Sequence, residues 1–155
     1  FVEPSDLSGS LRGRQNMYNH LDMMIRGAEK TITIATTADG LNRKMEALLP
    51  ALERAKRRGV IIRIAAPINN SNIKYARSIS KIAEVRDTSN KSFNGRFAIV
   101  DSEQLMFMLT NDTTVHPNYD VAVWISTDFF AKVMEQMFEL TWREFRALSK
   151  AKVKE

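Results

Sequence analysis

Cysteine is absent from this 155-residue chain. A disulfide scaffold, a thiol nucleophile and a thiolate metal site are all excluded with it. Histidine is almost as scarce: His20 and His116 stand far apart with no H-x-x-x-H spacing, so no metal or cofactor is expected. His20 reads as a surface or packing residue. No apolar run approaches the ~18–20 residues of a membrane span. There is no signal-peptide pattern and no initiating methionine, so we expect a domain cut from a longer, cytoplasmic protein. Charge of one sign is also lacking. The formal net charge is only +5, which suits anionic partners but is better read as that of an ordinary soluble domain.

What is present is the material of one globular domain, with 44% hydrophobic and 26% charged residues. Residues 1–10, rich in Ser, Asp, Pro and Gly, read as a linker tail, and residues 11–155 as the domain. From Arg14 the spacing of Met17, Leu21, Met24, Ile25 and Ala28 predicts a helix that closes near Gly27. Thr31 to Thr36 is β-branched and strand-sized. Asp39-Gly40 opens a second helix with the apolar face Leu41, Met45, Leu48, Leu49, Leu52 and Ala55, ending at Gly59. Pro50 lies in mid-pattern and is expected to kink or split it. The basic run Arg54, Lys56, Arg57 and Arg58 complements the dipole at that helix end, a better account than a nucleic-acid patch.

A strand over 61–66, a short helix to about Ile82 and a strand near 83–86 follow. Phe93 to Val100 and Leu105 to Leu109 read as a hairpin turned at Asp101-Ser102-Glu103-Gln104. After a polar loop and a strand at 121–125, Ser126 or Thr127 caps a last helix. Its stripe is Phe130, Val133, Met134, Met137, Phe138, Thr141, Phe145 and Leu148. Phe129, Leu140 and Trp142 exceed what one face needs and point to a covering helix from another subunit. The methionines read as core filling. Trp124 and Trp142 are expected to be buried. No internal repeat is visible.

This order predicts an α/β fold: a mixed sheet, parallel strands with antiparallel additions, covered by helices on both faces. Ligands in such sheets bind beyond the carboxyl ends of the strands. Thr36, Thr37 and Asp39 lie there after one strand, Asn69, Asn70 and Ser71 after the next. They suit a polar ligand and serve equally as turn and cap residues.

The stretch Asn94-Gly95-Arg96-Phe97-Ala98-Ile99-Val100-Asp101, followed by Asn111, carries the most information. It resembles the phospholipase D signature H-x-K-x4-D-x6-G-S-x-N. Asn94 stands at the histidine, Arg96 at the lysine, Asp101 and Asn111 are kept, and Met108-Leu109 replace Gly-Ser. The resemblance implies a phospholipase D-like fold whose catalytic motif has degenerated. A carboxamide cannot carry a phosphoryl group or act as acid and base, so no catalytic residue is expected. Arg96 either grips an anion or pairs with an acidic neighbour. Asn94, Arg96 and Asn111 are expected to converge in one cleft, and Asp101 to bind backbone or a nearby polar group.

Leu11 to Asn16, Ile25-Arg26-Gly27-Ala28-Glu29-Lys30, the strand at 31–36, Arg57 to Arg63 and Phe138-Glu139-Leu140-Thr141-Trp142 are similar to the C-terminal effector domain of archaeal TrmB-type transcriptional regulators. That family implies an upstream winged-helix DNA reader and a small-molecule sensor. No helix-turn-helix lies within these residues, so DNA contact is expected only through such an upstream domain. The expected function is a ligand-sensing or dimerisation domain. Its small polar or anionic ligand would be bound by Thr36, Thr37, Asp39, Asn69, Asn94, Arg96 and Asn111, and a homodimer is expected. The alternatives are a ligand-free dimerisation module and an active phosphodiesterase.

Overall fold

Apolar side chains on the central strands alternate with a period of two, so each strand feeds two cores. Ile32 and Ile34 join one buried cluster, and Ala35 joins the other. Ala98 and Val100 divide from Phe97 and Ile99 in the same way. In this computed structural model, which describes residues 7–148, the elements are β1 (Ser8–Arg12), α1 (Arg14–Arg26), β2 (Thr31–Ala35), α2 (Ala38–Arg57), β3 (Ile61–Ala66), α3 (Ile73–Ile79), β4 (Glu84–Asp87), β5 (Phe97–Val100), β6 (Gln104–Met108), β7 (Val121–Ile125), α4 (Asp128–Trp142) and β8 (Arg146–Ala147).

They form an eight-stranded sheet in the order β1-β7-β6-β5-β2-β3-β4-β8. The β2–β3 and β3–β4 pairs are parallel and the rest antiparallel. Residues of α1, α2 and α3 fill the core on one face, and α4 with Phe145 fills the core on the other. The mixed sheet with helices on both faces is the architecture expected from the sequence.

Several boundaries differ from the sequence reading. The assigned tail is shorter, because β1 pairs along β7 from Ser8, taking in residues read as linker. Residues 149–155 of the assigned domain lie outside the described residues. Pro50 neither splits nor ends α2, which runs through it. Pro50 and Glu46, the residue whose carbonyl it leaves without a donor, are both exposed, so water can satisfy that carbonyl. The hairpin's first strand begins at Phe97 rather than Phe93, although the Met108 N–H still donates to the Arg96 carbonyl at 2.9 Å. Its turn places Asp101 and Ser102 at φ of 57° and 55°, as a tight hairpin of matching twist requires.

The last helix departs most. Ala131, Phe138 and Trp142 are its buried residues, whereas Phe130, Val133 and Met137, read as core, are exposed. Trp142 packs inside its own subunit, so it is not part of an apolar excess. Trp124 is only half-buried and stacks on His20, with ring centroids 5.9 Å apart.

Candidate functional site

Because β5 runs antiparallel to β2, the start of β5 lies beside the carboxyl end of β2, with Ala35 opposite Phe97. The end of β6 arrives there too, since Phe97 faces Phe107. A cleft of about 450 Å³ opens at this point, lined by Thr37, Asn94, Gly95, Arg96, Phe107, Met108, Leu109, Thr110, Asn111 and Thr113. Asn94, Arg96 and Asn111 thus share one cleft with Thr37. Asn94 and Arg96 both lie in the loop before β5, not on the face of a strand.

The remaining expected residues divide. Thr36 is buried and accepts from Lys44 Nζ at 2.9 Å. Asp39 is exposed in the first turn of α2, outside the cleft lining, where it complements the helix dipole. Asn69 also stays outside, closing a turn by accepting from the Ser71 N–H at 2.9 Å. These two take the turn and cap role.

Arg96 is only 6% exposed. Its Nη2 lies 3.2 Å from Oδ2 of Asp120, and its Nη1 donates to the Thr110 carbonyl. Asp120 also accepts from Arg14 Nε at 3.0 Å and from the Thr110 hydroxyl. Burial raises the Asp120 pKa, but the bonds from Arg96, Thr110 and Arg14 outweigh it and hold the carboxyl below its ordinary value. Arg96 therefore pairs with an acidic neighbour, and its Nε has no hydrogen-bond partner.

A second carboxylate stands beside the first. Asp112 accepts from the Thr37 hydroxyl at 2.6 Å and from Arg43 Nη2 at 2.6 Å. Burial raises its pKa too, and those bonds again lower it overall. Thr37 at the same time caps α2 by accepting from the Gly40 N–H at 3.0 Å. Beneath both lies Lys44, fully buried, its pKa pushed down to about 7 by burial and then by the charges of Arg96 and Arg43. Three guanidinium groups (Arg14, Arg43 and Arg96) and the partly neutral Lys44 thus surround two carboxylates under the cleft.

The sequence reading missed Arg14, Arg43, Lys44, Asp112 and Asp120. Lys44 carried a signal: it falls on the apolar face of α2 with Leu41, Leu48 and Leu52, where a charge must find a partner. Asp101 behaves as expected, accepting from the backbone N–H groups of Glu29, Lys30 and Thr31 at 2.7 to 3.2 Å. Among the described residues, no group of three or more His, Cys, Asp or Glu could hold a metal ion. No described helix is long and apolar enough to cross a membrane.

Solved structures share this architecture. The chain is similar to TrmBL2, an archaeal chromatin protein whose structure shows a novel mode of DNA binding, at 18% identity and a TM-score of 0.69. The match covers 95% of this chain but only 56% of TrmBL2, so the chain spans little more than half that protein's length. It is similar to Nuc, a phospholipase D family member from Salmonella typhimurium, at 19% identity and a TM-score of 0.70, covering 90% of this chain and 97% of Nuc. NucT from Helicobacter pylori matches at 14% identity and a TM-score of 0.65, covering 90% of this chain and 98% of NucT. At these identities the likeness establishes a phospholipase D-like fold. Comparison with curated protein sequences finds no match. Residues 10–147 match the family model described as transcriptional regulator TrmB, EBD N-terminal subdomain, and the chain belongs to that family.

Proposed function

We propose that this domain senses a small polar or anionic molecule in the cleft between Thr37, Asn94 and Asn111 and relays its presence to a DNA-binding domain elsewhere in a cytoplasmic regulator. The observation that carries the reading is the excess of cationic over anionic groups under the cleft. Three guanidinium groups against two carboxylates, with Lys44 partly protonated near neutral pH, leave a positive potential that a ligand anion would neutralise. The amides of Asn94 and Asn111 and the hydroxyls of Thr37 and Thr113 line the same cleft and suit hydroxyl or phosphate oxygens. Catalysis is not part of this reading, because Asn94 offers no nucleophile where a phosphodiesterase of this fold would need one. The regulator acts as a homodimer, and DNA is met only through the other domain.

Calorimetric titration with neutral sugars, sugar phosphates and inorganic phosphate tests it. At least one should bind, and Asn94→Asp or Asn111→Asp should weaken an anionic ligand about tenfold by adding like charge at the exposed rim. Binding by none, or binding indifferent to both substitutions, defeats the assignment. Turnover of a generic phosphodiester that Asn94→Ala abolishes would defeat the non-catalytic reading. A ligand-free dimerisation module is the second reading, favoured by the closed pairing of Arg96 with Asp120. It predicts no binding by any member of the panel.

A further inference from the structure

The positive charge of this chain is not spread evenly along it. Residues 54–83 hold eight of its 23 Lys and Arg and no Asp or Glu. The remaining 15 stand against 18 acidic residues, so the rest of the chain carries a net negative charge. Two of the eight are engaged within the fold. Arg58 donates to the Ile25 and Ala28 carbonyls, and Arg63 pairs with Glu139 at 2.6 Å. The other six, Arg54, Lys56, Arg57, Lys74, Arg77 and Lys81, are exposed. None of them makes an ion pair or a side-chain hydrogen bond with a described residue.

The fold gathers these six on one surface. Lys56, Arg57, Ser78 and Lys81 line a groove between the end of α2 and the turn after α3, with Glu53 as its acidic residue. Arg54 lies one turn before Arg57, and Lys74 and Arg77 lead to Lys81 at spacings of three and four. A helix dipole accounts for the α2 half taken alone. Two helix ends together present only about one negative charge, and six cations exceed that need.

We infer that this face lies along the sugar–phosphate backbone of DNA and holds the duplex without reading its sequence. Membership of a transcriptional regulator family makes DNA the polyanion at hand, and unpaired Lys and Arg are the groups that bind its phosphates. The position agrees. Strand pairing runs in one row from Ser8, at the start of β1, through Ile99 and Thr33 to Glu84, at the start of β4. α2 ends as β3 begins, and the turn after α3 leads into β4. The basic face therefore sits at the end of the sheet where β1 starts, and the cleft sits at the other. A DNA-binding domain joined ahead of β1 would hold its DNA at this end and leave the cleft open. An anionic membrane fits less well, because the face offers no large apolar side chain for insertion. Tyr75 is held by Glu46 at 3.0 Å, and Ile61 points with Arg63 to the opposite side of the sheet.

The inference goes beyond the proposed function, in which the other domain alone finds and reads DNA. It shares that DNA-bound regulator but not its ligand, so a failed ligand titration leaves it standing. Fluorescence anisotropy of the 155-residue chain with labelled duplexes of unrelated sequence tests it. All should bind alike at about 50 mM salt, and four phosphate contacts would give log affinity a slope of about −3.6 against log salt. Arg57→Glu with Lys81→Glu should weaken binding at least about tenfold and make that slope shallower by about two. Arg54→Glu with Lys74→Glu should do the same, a second pair that keeps the test open if the first fails to fold. Lys132→Glu with Arg143→Glu changes the net charge equally on α4, across the sheet, and should leave the slope unchanged. A chain that binds no duplex at that salt overturns the proposal. So does an equal loss from the α4 pair, or a preference of about tenfold for one sequence. Tighter binding of duplex RNA or of phosphatidylserine vesicles through the same residues overturns it too.

Discussion

At the scale of single residues, the floor of the cleft is held by charges that have no water to fall back on. Asp120 is fully buried between Arg96 and Arg14. Asp120→Asn leaves two guanidinium groups without their counter-charge, and we expect a loss of about 3–5 kcal/mol in urea unfolding. The acid limb should change with it. A carboxyl whose folded pKa is lowered stabilises the fold above its ordinary range, and that stabilisation is lost as the pH falls through the lowered value. Asp120→Asn should therefore flatten the stability profile in acid, where Asp112 and Asp101 continue to titrate. Lys44 gives a slope of the same sign in a different pH range, but from a group whose burial costs stability instead of adding it. Its folded pKa is about 7 and its ordinary value 10.5, so between these limits the unfolded chain binds the extra proton. Stability should rise from pH 7 towards 10, with a limiting slope of about 1.4 kcal/mol per pH unit. Lys44→Met should remove that rise, which denaturant titrations at a series of pH values will show. These pairings were largely hidden in the sequence. Asn94, Arg96 and Asp101 lie within eight consecutive residues, so spacing alone exposes them. Arg43 and Asp112 stand 69 positions apart, and only the closed sheet brings them together.

Elements repeat the lesson at longer range. The boundaries of α1, β2, β3 and β7 could be read because local periodicity and local capping agree there. The burial of α4 could not be read so well, because apolar residues surround more of its circumference than one core uses. Sequence counts the stripe but does not say which part faces the sheet. The ring of Phe138, seated against Phe97 at 5.3 Å between centroids, is what sets that rotation. β8 escaped notice because two residues, Arg146 and Ala147, carry no period at all. Pro50 gives a direct test at this scale. Its position in α2 is exposed, and an N–H restored there would meet the Glu46 carbonyl one turn back. Pro50→Ala should thus stabilise the domain by about 1–3 kcal/mol, reduced somewhat by the freer unfolded chain. A rise in the denaturation midpoint with an unchanged slope would verify it.

The whole molecule is a sheet shared by two unequal cores. Three helices guard one face, while the other depends on α4 and an aromatic cluster. Phe138 is the centre of that cluster, with ring contacts to Phe93, Phe97, Trp142 and Phe145. Arg63 and Arg86 lie over the Trp142 ring at 5.1 and 4.4 Å, which ties the cluster to β3 and β4. Phe97 and Ile99 belong to the same strand as Ala98 and Val100, so neither core can loosen without moving a strand of the other. Phe138→Ala should therefore cost about 3–5 kcal/mol, and the cost should be felt by the entire domain. Far-UV circular dichroism, dominated by helices such as α1 to α4, and tryptophan fluorescence should shift together to a lower urea midpoint. If fluorescence instead changes first and α1 to α3 persist, α4 is a separable layer. The shared strands would then fail to couple the two faces.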